Sequence, residues 1–201
     1  MLLQPRAAIA HRSADMLHGA SMTAVCRPLL AHEHADYRTV RLECLRLHPT
    51  MFGTTYAEAA ATPQLAFERY IADQDPDHVM FGAFVDPTPH LRASPVEGHL
   101  SGLCALSRET RQRARHRCEL TQMYVAPHAA SRGIGGLLID RALQHAFADP
   151  AVRHVVLGVV ADNTGAIRLY QRAGFREYGR LPSYFLAEGI NSTQLFMVRE
   201  R

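Results

Sequence analysis

The stretch SRGIGGLLIDRALQHAF, residues 131–147, constrains the fold of this chain most, because a glycine-rich turn leads directly into a helix-forming segment. A strand-like segment at 115–125 precedes the turn, so a strand, a turn and a helix follow one another. The first N–H groups of a helix have no intrahelical partner, and the helix dipole adds partial positive charge there. Glycines also let the backbone approach a ligand closely. The stretch therefore predicts an anion site, typically for phosphate, at the start of the helix.

Three kinds of nucleotide site use such a turn, and the residues after it separate them. A P-loop requires Gly-Lys-Ser/Thr, whereas Gly135 is followed by Gly136 and Leu137. A dinucleotide-binding turn requires a third glycine at position 138, which is leucine here. A site for the pyrophosphate of coenzyme A stays open, and so does a tight strand-to-helix turn that binds no ligand.

The order of strand-like and helix-like segments predicts the fold class. Capping residues, apolar stripes and Pro or Gly boundaries predict helices from Asp36 to His48, from Thr62-Pro63 to Ala72, over 133–148 and over 163–173. Strands are predicted at 23–30, 78–86, 96–108, 115–125 and 153–161, followed by GFREYGRL and STQLFMV. This mixed order predicts one α/β sheet with helices on both faces. Residues 1–21 are expected to form a flexible tail and residues 22–201 a single domain.

A second motif, NTGAIRLYQRAGF at residues 163–175, follows the glycine turn. Together with MYVAPHAASRGIGG at 123–136, it resembles the GCN5-related N-acetyltransferase (GNAT) family. The family's pyrophosphate loop reads Arg/Gln-x-x-Gly-x-Gly/Ala; Gly133 and Gly135 match it, whereas Ala130 replaces its first residue. The resemblance is strongest over residues 115–180. The second family motif is matched at Asn163, Ala166, Leu169, Tyr170, Gly174 and Phe175.

The resemblance implies a GNAT fold, with a mixed, mostly antiparallel sheet of about seven strands and about four flanking helices. It also implies acetyl-coenzyme A as the co-substrate, whose pyrophosphate is bound by backbone N–H groups of the loop. The loop residues are Arg132, Gly133, Ile134, Gly135 and Gly136.

Four further residues take their expected roles from the same resemblance. Main-chain groups of Met123 and Val125 are expected to pair with the pantetheine arm. Asn163 has a structural role as a helix N-cap, and contact with the pantetheine arm is a second role. Tyr170 is expected to act as the general acid toward the departing thiolate. A thiol has a pKa of ~8.5 and a phenol of ~10, so a hydrogen bond to the sulfur suffices near neutral pH.

The general base and the acceptor site are less well marked in the sequence. Glu119 is the best candidate base, and period two predicts that it shares a strand face with Thr121, Met123 and Val125. Arg117 lies on the same predicted face, which favours a salt bridge that lowers the pKa of Glu119. The resemblance places acceptor contacts in the 49–61 connection. The candidates there are Phe52, Tyr56 and Glu58, and a polar loop with no such role is the alternative.

Composition limits the other function classes. A formal net charge of +3 is too small to indicate nucleic-acid binding, and no apolar run approaches the ~20 residues that span a bilayer. The four cysteines do not have the spacing of zinc ligands, so no metal is expected. They are expected to be reduced thiols in a cytoplasmic protein. Nothing beside Cys104 or Cys118 indicates an activated acyl carrier.

The expected function is therefore direct transfer of an acetyl group from acetyl-coenzyme A to a primary amine in a ternary complex. The acceptor is a small-molecule amine or a peptide or protein amine. The alternatives are a non-catalytic sensor that binds acyl-coenzyme A and an enzyme that uses a longer acyl chain. No nucleic-acid or membrane partner is expected, and a homodimer stays open.

Overall fold

The computed structural model describes residues 24–85, 98–187 and 189–201. The predicted tail at 1–21 and the connection PTPHLRASP at 87–95 lie outside the described residues, as does Glu188 of the predicted turn at 188–189. The strands are β1 (Ala24–Pro28), β2 (His78–Val85), β3 (His99–Arg108), β4 (Arg117–Val125), β5 (His154–Val160), β6 (Arg176–Ala187) and β7 (Ile190–Glu200). The α-helices are α1 (His34–Leu47), α2 (Tyr56–Ala61), α3 (Ala66–Asp73), α4 (Ile134–Ala148) and α5 (Thr164–Arg172).

The seven strands form one sheet in the order β1-β2-β3-β4-β5-β7-β6. All neighbouring strands are antiparallel except β4 and β5, which are parallel. The predicted mixed, mostly antiparallel sheet of about seven strands is confirmed. Five α-helices, rather than about four, accompany it in the described ranges.

Helices pack on both faces of the sheet, as predicted. On one face, Leu138 and Ile139 of α4 pack with buried residues of β2 to β5 and β7 in the larger core cluster. On the opposite face, Tyr37 of α1 and Phe67 and Ile71 of α3 pack on β2 and β3. We call the first the α4 face and the second the α1 face. Helix α1 thus stands over the strands that precede the glycine turn.

Two predicted helix starts are wrong. Helix α1 begins at His34, so Asp36 lies in its first turn and does not cap it. Helix α3 begins at Ala66, and Thr62 instead ends α2, because both its N–H and its hydroxyl donate to the carbonyl of Glu58. The 49–61 connection therefore contains a helix that the sequence prediction left out.

Strands β4 and β5 separate soon after they pair. Their parallel ladder ends at Glu119 and Val156, although both strands continue beyond these residues. Gln122 has a φ of 52°, and the register of β4 against β3 shifts there. Such a bulge inserts one extra residue and bends the strand. A gap therefore opens between the second half of β4 and the middle of β5.

The β6–β7 hairpin is also irregular. Leu181 pairs with Gln194 and Phe185 pairs with Ser192, so β6 contains two more residues than β7 over this interval. Ser183 has a φ of 55°, a left-handed conformation that non-glycine residues seldom adopt. This distortion brings the ring of Phe185 against Gly53 of the α1–α2 loop, where a Cβ would lie 2.8 Å from it. The β6–β7 hairpin and the α1–α2 loop are thus in contact at Phe185 and Gly53.

Candidate active site

A cavity of about 460 Å³ lies in the gap between β4 and β5. Its inner wall contains residues 119–123 of β4 and 156–159 of β5, together with Asn163, Ala166 and Tyr170. Its outer wall contains residues 51–54 of the α1–α2 loop and aromatic side chains of the β6–β7 hairpin. The splayed strands and the distorted hairpin thus build one site.

Tyr170 extends from α5 into this cavity. The residue is 5% exposed and packs edge-on against Phe175, with ring centroids 5.9 Å apart. Burial raises the pKa of Tyr170 further above that of a free phenol, and Cys104 adds to the effect. Among the described residues, no protein group forms a hydrogen bond with its hydroxyl. The phenol therefore keeps its proton at neutral pH, and its hydroxyl donor is not used by any described protein group.

Glu119 lies at the end of the β4–β5 ladder, in the cavity wall. The expected salt bridge with Arg117 is not formed, because Arg117 pairs with Glu109 at 3.1 Å. Partial burial raises the pKa of the Glu119 carboxyl, and this outweighs the lowering effect of Arg117. The predicted lowering of the pKa is therefore wrong.

The predicted strand face of Glu119 is only partly right. Thr121 lies opposite Ala105 of β3, which packs on the α1 face, and alternation places Glu119 on that face too. Met123 and Val125, in contrast, pack in the core cluster of the α4 face. The bulge at Gln122 adds a residue and reverses the alternation, so period two fails beyond it.

The start of α4 is built from residues in unusual backbone conformations. Ser131 has a φ of 61° and Gly133 a φ of 78°, and no side chain caps the helix. The first intrahelical hydrogen bond runs from the N–H of Leu137 to the carbonyl of Gly133, at 3.1 Å. The N–H groups of Ile134, Gly135 and Gly136 precede it and have no partner within the helix. Arg132 is exposed beside them.

The two glycines in the first turn of α4 have different surroundings. A Cβ on Gly135 would lie 2.9 Å from Leu169 of α5 and 3.4 Å from Met123 of β4, so this glycine lets the three elements pack. A Cβ on Gly136 would meet nothing within 4 Å. The helix start is thus joined to the cavity through Met123, while the Gly136 side faces open space.

Asn163 caps α5, because its Oδ1 accepts a hydrogen bond from the N–H of Ala166 at 3.1 Å. The predicted N-cap is confirmed. Asn163 also lines the cavity, while its contact with a pantetheine arm stays a prediction.

The three predicted acceptor residues are not all brought together. Phe52 lines the cavity, whereas Tyr56 and Glu58 of α2 are not part of its lining. Glu58 accepts hydrogen bonds from the N–H and the hydroxyl of Thr55, both at 2.8 Å, which lowers the pKa of its carboxyl. Glu58 therefore has a capping role at the start of α2, and an acceptor role for it and for Tyr56 stays a prediction.

Sequence reasoning missed two polar residues of the cavity. Arg41 of α1 lies buried in its wall. Gln194 of β7 is 9% exposed, and its Oε1 is the one buried side-chain nitrogen or oxygen in the described ranges that has no hydrogen-bond partner. Its amide lies where a Cβ on Gly158 would be. A glycine inside the apolar strand VVLGVV was the only sequence signal, because it indicates a close approach of another group.

The cysteines have no apparent part in the chemistry. All four are free and buried, and burial raises the pKa of each thiol, including those of Cys104 and Cys118. A neutral buried thiol is a poor nucleophile. Within the described residues, no group of three or more His, Cys, Asp or Glu side chains is arranged to hold a metal ion. No helix in the same ranges is long and apolar enough to span a membrane.

Comparison with known proteins connects this geometry to a family. Residues 52–175 match the model of the Acetyltransferase (GNAT) family. A spermidine N(1)-acetyltransferase from Vibrio cholerae is 34% identical over 74 residues, which are 37% of this chain and 43% of that protein. A mycothiol acetyltransferase from Clavibacter sepedonicus is 35% identical over 103 residues, which are 51% of this chain and 32% of that protein. The chain thus matches less than half the length of either relative.

The fold extends further than these sequence matches. The crystal structure of an acetyltransferase of the GNAT family from Streptococcus pneumoniae is similar, with a TM-score of 0.70 at 20% identity. The similarity covers 89% of this chain and 100% of that one. The GNAT fold predicted from the two motifs is confirmed.

Proposed function

Because this chain belongs to the acetyltransferase (GNAT) family, we propose that it transfers the acetyl group of acetyl-coenzyme A directly to a primary amine in a ternary complex. One observation carries the proposal. The uncapped start of α4 packs beside Met123 of β4, and Met123 lines the cavity in the β4–β5 gap together with Tyr170, whose hydroxyl has no protein partner among the described residues. In this proposal the start of α4 binds the pyrophosphate, the gap holds the pantetheine arm, and Tyr170 is the proton donor for the sulfur.

The coenzyme is held mainly by the backbone in this proposal. The N–H groups of residues 132–136 bind the pyrophosphate, aided by the helix dipole. Met123 and Val125 offer main-chain groups on the side of β4 that no longer pairs with β5. One of these N–H groups donates to the thioester carbonyl, where negative charge develops. Removing such a donor typically costs ~3–4 kcal/mol of transition-state stabilisation.

The chemical step forms a C–N bond and breaks a C–S bond. The amine attacks the thioester carbon, loses a proton, and the sulfur leaves as a thiolate that accepts a hydrogen bond or a proton from Tyr170. A phenol held protonated by burial is suited to this role, because it never competes as an anion near the sulfur. The amine proton passes to Glu119 or to water.

Glu119 is suited to the role of base by its raised pKa, since a general base works best when its pKa is near the operating pH. If Glu119 accepts the proton, Glu119→Gln lowers kcat/KM about 100-fold and removes the acidic limb of the pH–rate profile. A variant that keeps the wild-type profile would assign proton removal to water.

The acceptor in the proposal is a small-molecule amine or a peptide or protein amine. Two relatives carry names that specify spermidine and mycothiol chemistry, and these names describe those proteins. No specific observation favours a non-catalytic sensor of acyl-coenzyme A. Such a sensor would bind the coenzyme without needing the proton donor Tyr170. Acetyl-coenzyme A binding with no turnover across a broad amine panel would favour it.

The Tyr170→Phe variant tests the proposed function. We expect kcat to fall about 100-fold, because the sulfur loses its proton donor. The affinity for acetyl-coenzyme A, measured by calorimetry, should stay within about threefold. Tyr70→Phe, at a tyrosine of α3 outside the cavity, is the matched control. Release of the coenzyme A thiol is a readout with low background, because the chain contains no lysine side chain that could itself be acetylated. An unchanged kcat for Tyr170→Phe would remove the assigned role.

A further inference from the structure

One buried cation in the cavity wall is not explained by the mechanism above. Arg41 of α1 is 7% exposed and is the only buried arginine in the described ranges. Its guanidinium lies 4.7 Å from the centre of the Phe52 ring, and its Nη1 donates to Sγ of Cys44 at 3.8 Å. Burial raises the pKa of the Cys44 thiol to about 11, so this partner is neutral. Burying a charge is costly unless an opposite charge accompanies it.

No carboxylate in the described part of the chain pairs with Arg41. Glu43, two residues along α1, accepts a hydrogen bond from the hydroxyl of Tyr124 at 2.8 Å instead. Two arginines nearer the surface do have acidic partners: Arg38 bridges to Glu68 at 2.7 Å, and Arg117 bridges to Glu109 at 3.1 Å. Arg41, the most buried of these three arginines, therefore has no anionic partner in the described part of the chain.

Most N–H donors of Arg41 have no partner in the described part of the chain. A guanidinium has five N–H donors in a planar fork that matches a carboxylate, and the described protein groups use one of them. The only buried side-chain nitrogen or oxygen without a partner in these ranges is Oε1 of Gln194. The nitrogens of Arg41 that have no partner therefore keep exposed surface. Arg41 lines the cavity, so we infer that these nitrogens are available to a ligand there.

We propose that the acceptor of the acetyl group carries a carboxylate as well as its amine, and that Arg41 binds this carboxylate. The inference rests on the proposed function, because both ends of the acceptor then lie in one cavity. The amine points toward the thioester between β4 and β5, and the carboxylate points toward α1. Phe52 contacts the guanidinium through a cation–π interaction. Amino acids and related amino carboxylates have this chemistry, whereas a polyamine has cations only.

Matched pairs of amines test the proposal. The probes are L-amino acids, each compared with its carboxamide, and spermidine, with release of the coenzyme A thiol as the readout. We expect kcat/KM to be at least about 10-fold higher for the acid of a preferred pair. The carboxamide has the more readily deprotonated amine, so its intrinsic reactivity opposes this preference. Equal rates within every pair, or a preference for spermidine, would overturn the proposal.

The Arg41→Met variant locates the preference. We expect it to lower kcat/KM for the acid about 100-fold and for the carboxamide less than about threefold, because only the acid loses its charged partner. Arg41→Lys, which keeps the charge but not the planar fork, should retain part of the preference. Arg46→Met, at an exposed arginine of the same helix, is the matched control. A loss of equal size for acid and carboxamide would overturn the proposal.

Thermal unfolding separates a binding role from a structural one. Removing a buried cation that has no anion should leave the unfolding midpoint of the ligand-free protein unchanged or raise it. A fall of more than about 5 °C in Arg41→Met, with Arg46→Met unaffected, would assign Arg41 to the fold and contradict the proposal.

A binding measurement distinguishes failure of this inference from failure of the proposed function. Succinate supplies the carboxylate alone, so it should raise the unfolding midpoint of the wild-type protein and not that of Arg41→Met, even if no amine supports turnover. Turnover with uncharged amines and no succinate effect would leave the acetyltransferase intact and remove the carboxylate site. Succinate binding without turnover would keep the site and remove the proposed reaction.

Discussion

At the start of α4 the polar groups without a protein partner are backbone N–H groups, whereas the polar groups that line the cavity between β4 and β5 are side chains. The helix start depends on conformation, with a left-handed Gly133 and no capping side chain. The cavity depends on chemistry, with the cation of Arg41, the carboxylate of Glu119 and the amide of Gln194. A site made of backbone can be recognised in the sequence by its glycines. A site made of side chains from distant segments has no such signature.

The difference also concerns how the two sites satisfy their polar groups. The N–H groups at the start of α4 meet solvent, so they cost little when no ligand is bound. In the cavity, the mostly buried Arg41 has no carboxylate partner, and Oε1 of Gln194 is buried with no hydrogen-bond partner in the described structure. Buried polar groups without partners cost ~1–3 kcal/mol each, and more when charged. The proposed acceptor end thus holds buried polar groups that a matching ligand would satisfy, and the proposed coenzyme end does not.

A negative charge at the start of α4 should give the largest effect. In Gly136→Asp the new side chain enters open space, and an acidic residue in the first turn stabilises a helix. The carboxylate would nevertheless repel the pyrophosphate, and like charges ~5 Å apart cost about 3 kcal/mol near a protein surface. We expect the Kd of acetyl-coenzyme A, measured by calorimetry, to rise about 100-fold without loss of stability.

The neutral variant Gly136→Asn controls for the size of the added side chain. It should weaken binding by no more than about 10-fold, since only the charge differs. Equal affinity for acetyl-coenzyme A in the Asp variant and the wild-type protein would place the pyrophosphate elsewhere, and the comparison between the two ends would break.

A methyl group in the middle of β5 should give an intermediate effect confined to the acceptor end. In Gly158→Ala the new Cβ collides with the amide of Gln194, which must move. Overpacking of this kind costs about 1–3 kcal/mol of stability, measured by chemical denaturation. We also expect the KM for the acceptor to rise about 10-fold while the Kd of acetyl-coenzyme A changes little.

Shortening the displaced side chain tests the cause. Adding Gln194→Ala to Gly158→Ala should restore most of the lost stability, because the collision is removed; a double-mutant cycle measures this coupling. Additive losses from the two substitutions would show that the two residues do not compete for the same space.

The smallest effect concerns stability and pH at Glu119. Its pKa is raised in the folded protein, so between the unfolded and folded pKa values the folded state binds more protons than the unfolded state. The stability contribution of Glu119 therefore falls as pH rises through this window. Glu119→Gln should be slightly more stable than the wild-type protein at neutral pH. Well below about pH 4 it should be no more stable, because Glu119 of the wild-type protein is then protonated in both the folded and the unfolded state. Denaturant midpoints across this pH range check the sign.

The parts of the fold that the sequence predicted correctly depend on local patterns. The strand, turn and helix around Gly133 and the N-cap at Asn163 follow from neighbouring residues, and the structure contains both. Local patterns also misled: Thr62 looked like the start of a helix, but its hydroxyl and N–H bond backward to Glu58 and end one. A threonine between two helices can end the first helix or begin the second, and only the folded backbone shows which of the two it does.

The candidate site was predicted less well for a physical reason. Period two placed Glu119 and Met123 on one face of β4, and the bulge at Gln122 separates them. A non-glycine bulge leaves no mark in the sequence, because the neighbouring strands impose it. Likewise, Arg117 was expected to pair with Glu119, yet a turn of the chain brings Glu109 closer to it.

The sequence by itself determined the family and the seven strands, and it predicted an anion site before α4, because glycine spacing and apolar alternation are local features of the chain. Only the tertiary structure decided which side chains share the cavity. Arg41, Glu119 and Gln194 lie far apart in the chain and converge through the splaying of β4 from β5 and the distortion of the hairpin. Whether a buried charge has a partner depends on which distant segments come together in the fold, so it cannot be deduced from any single residue.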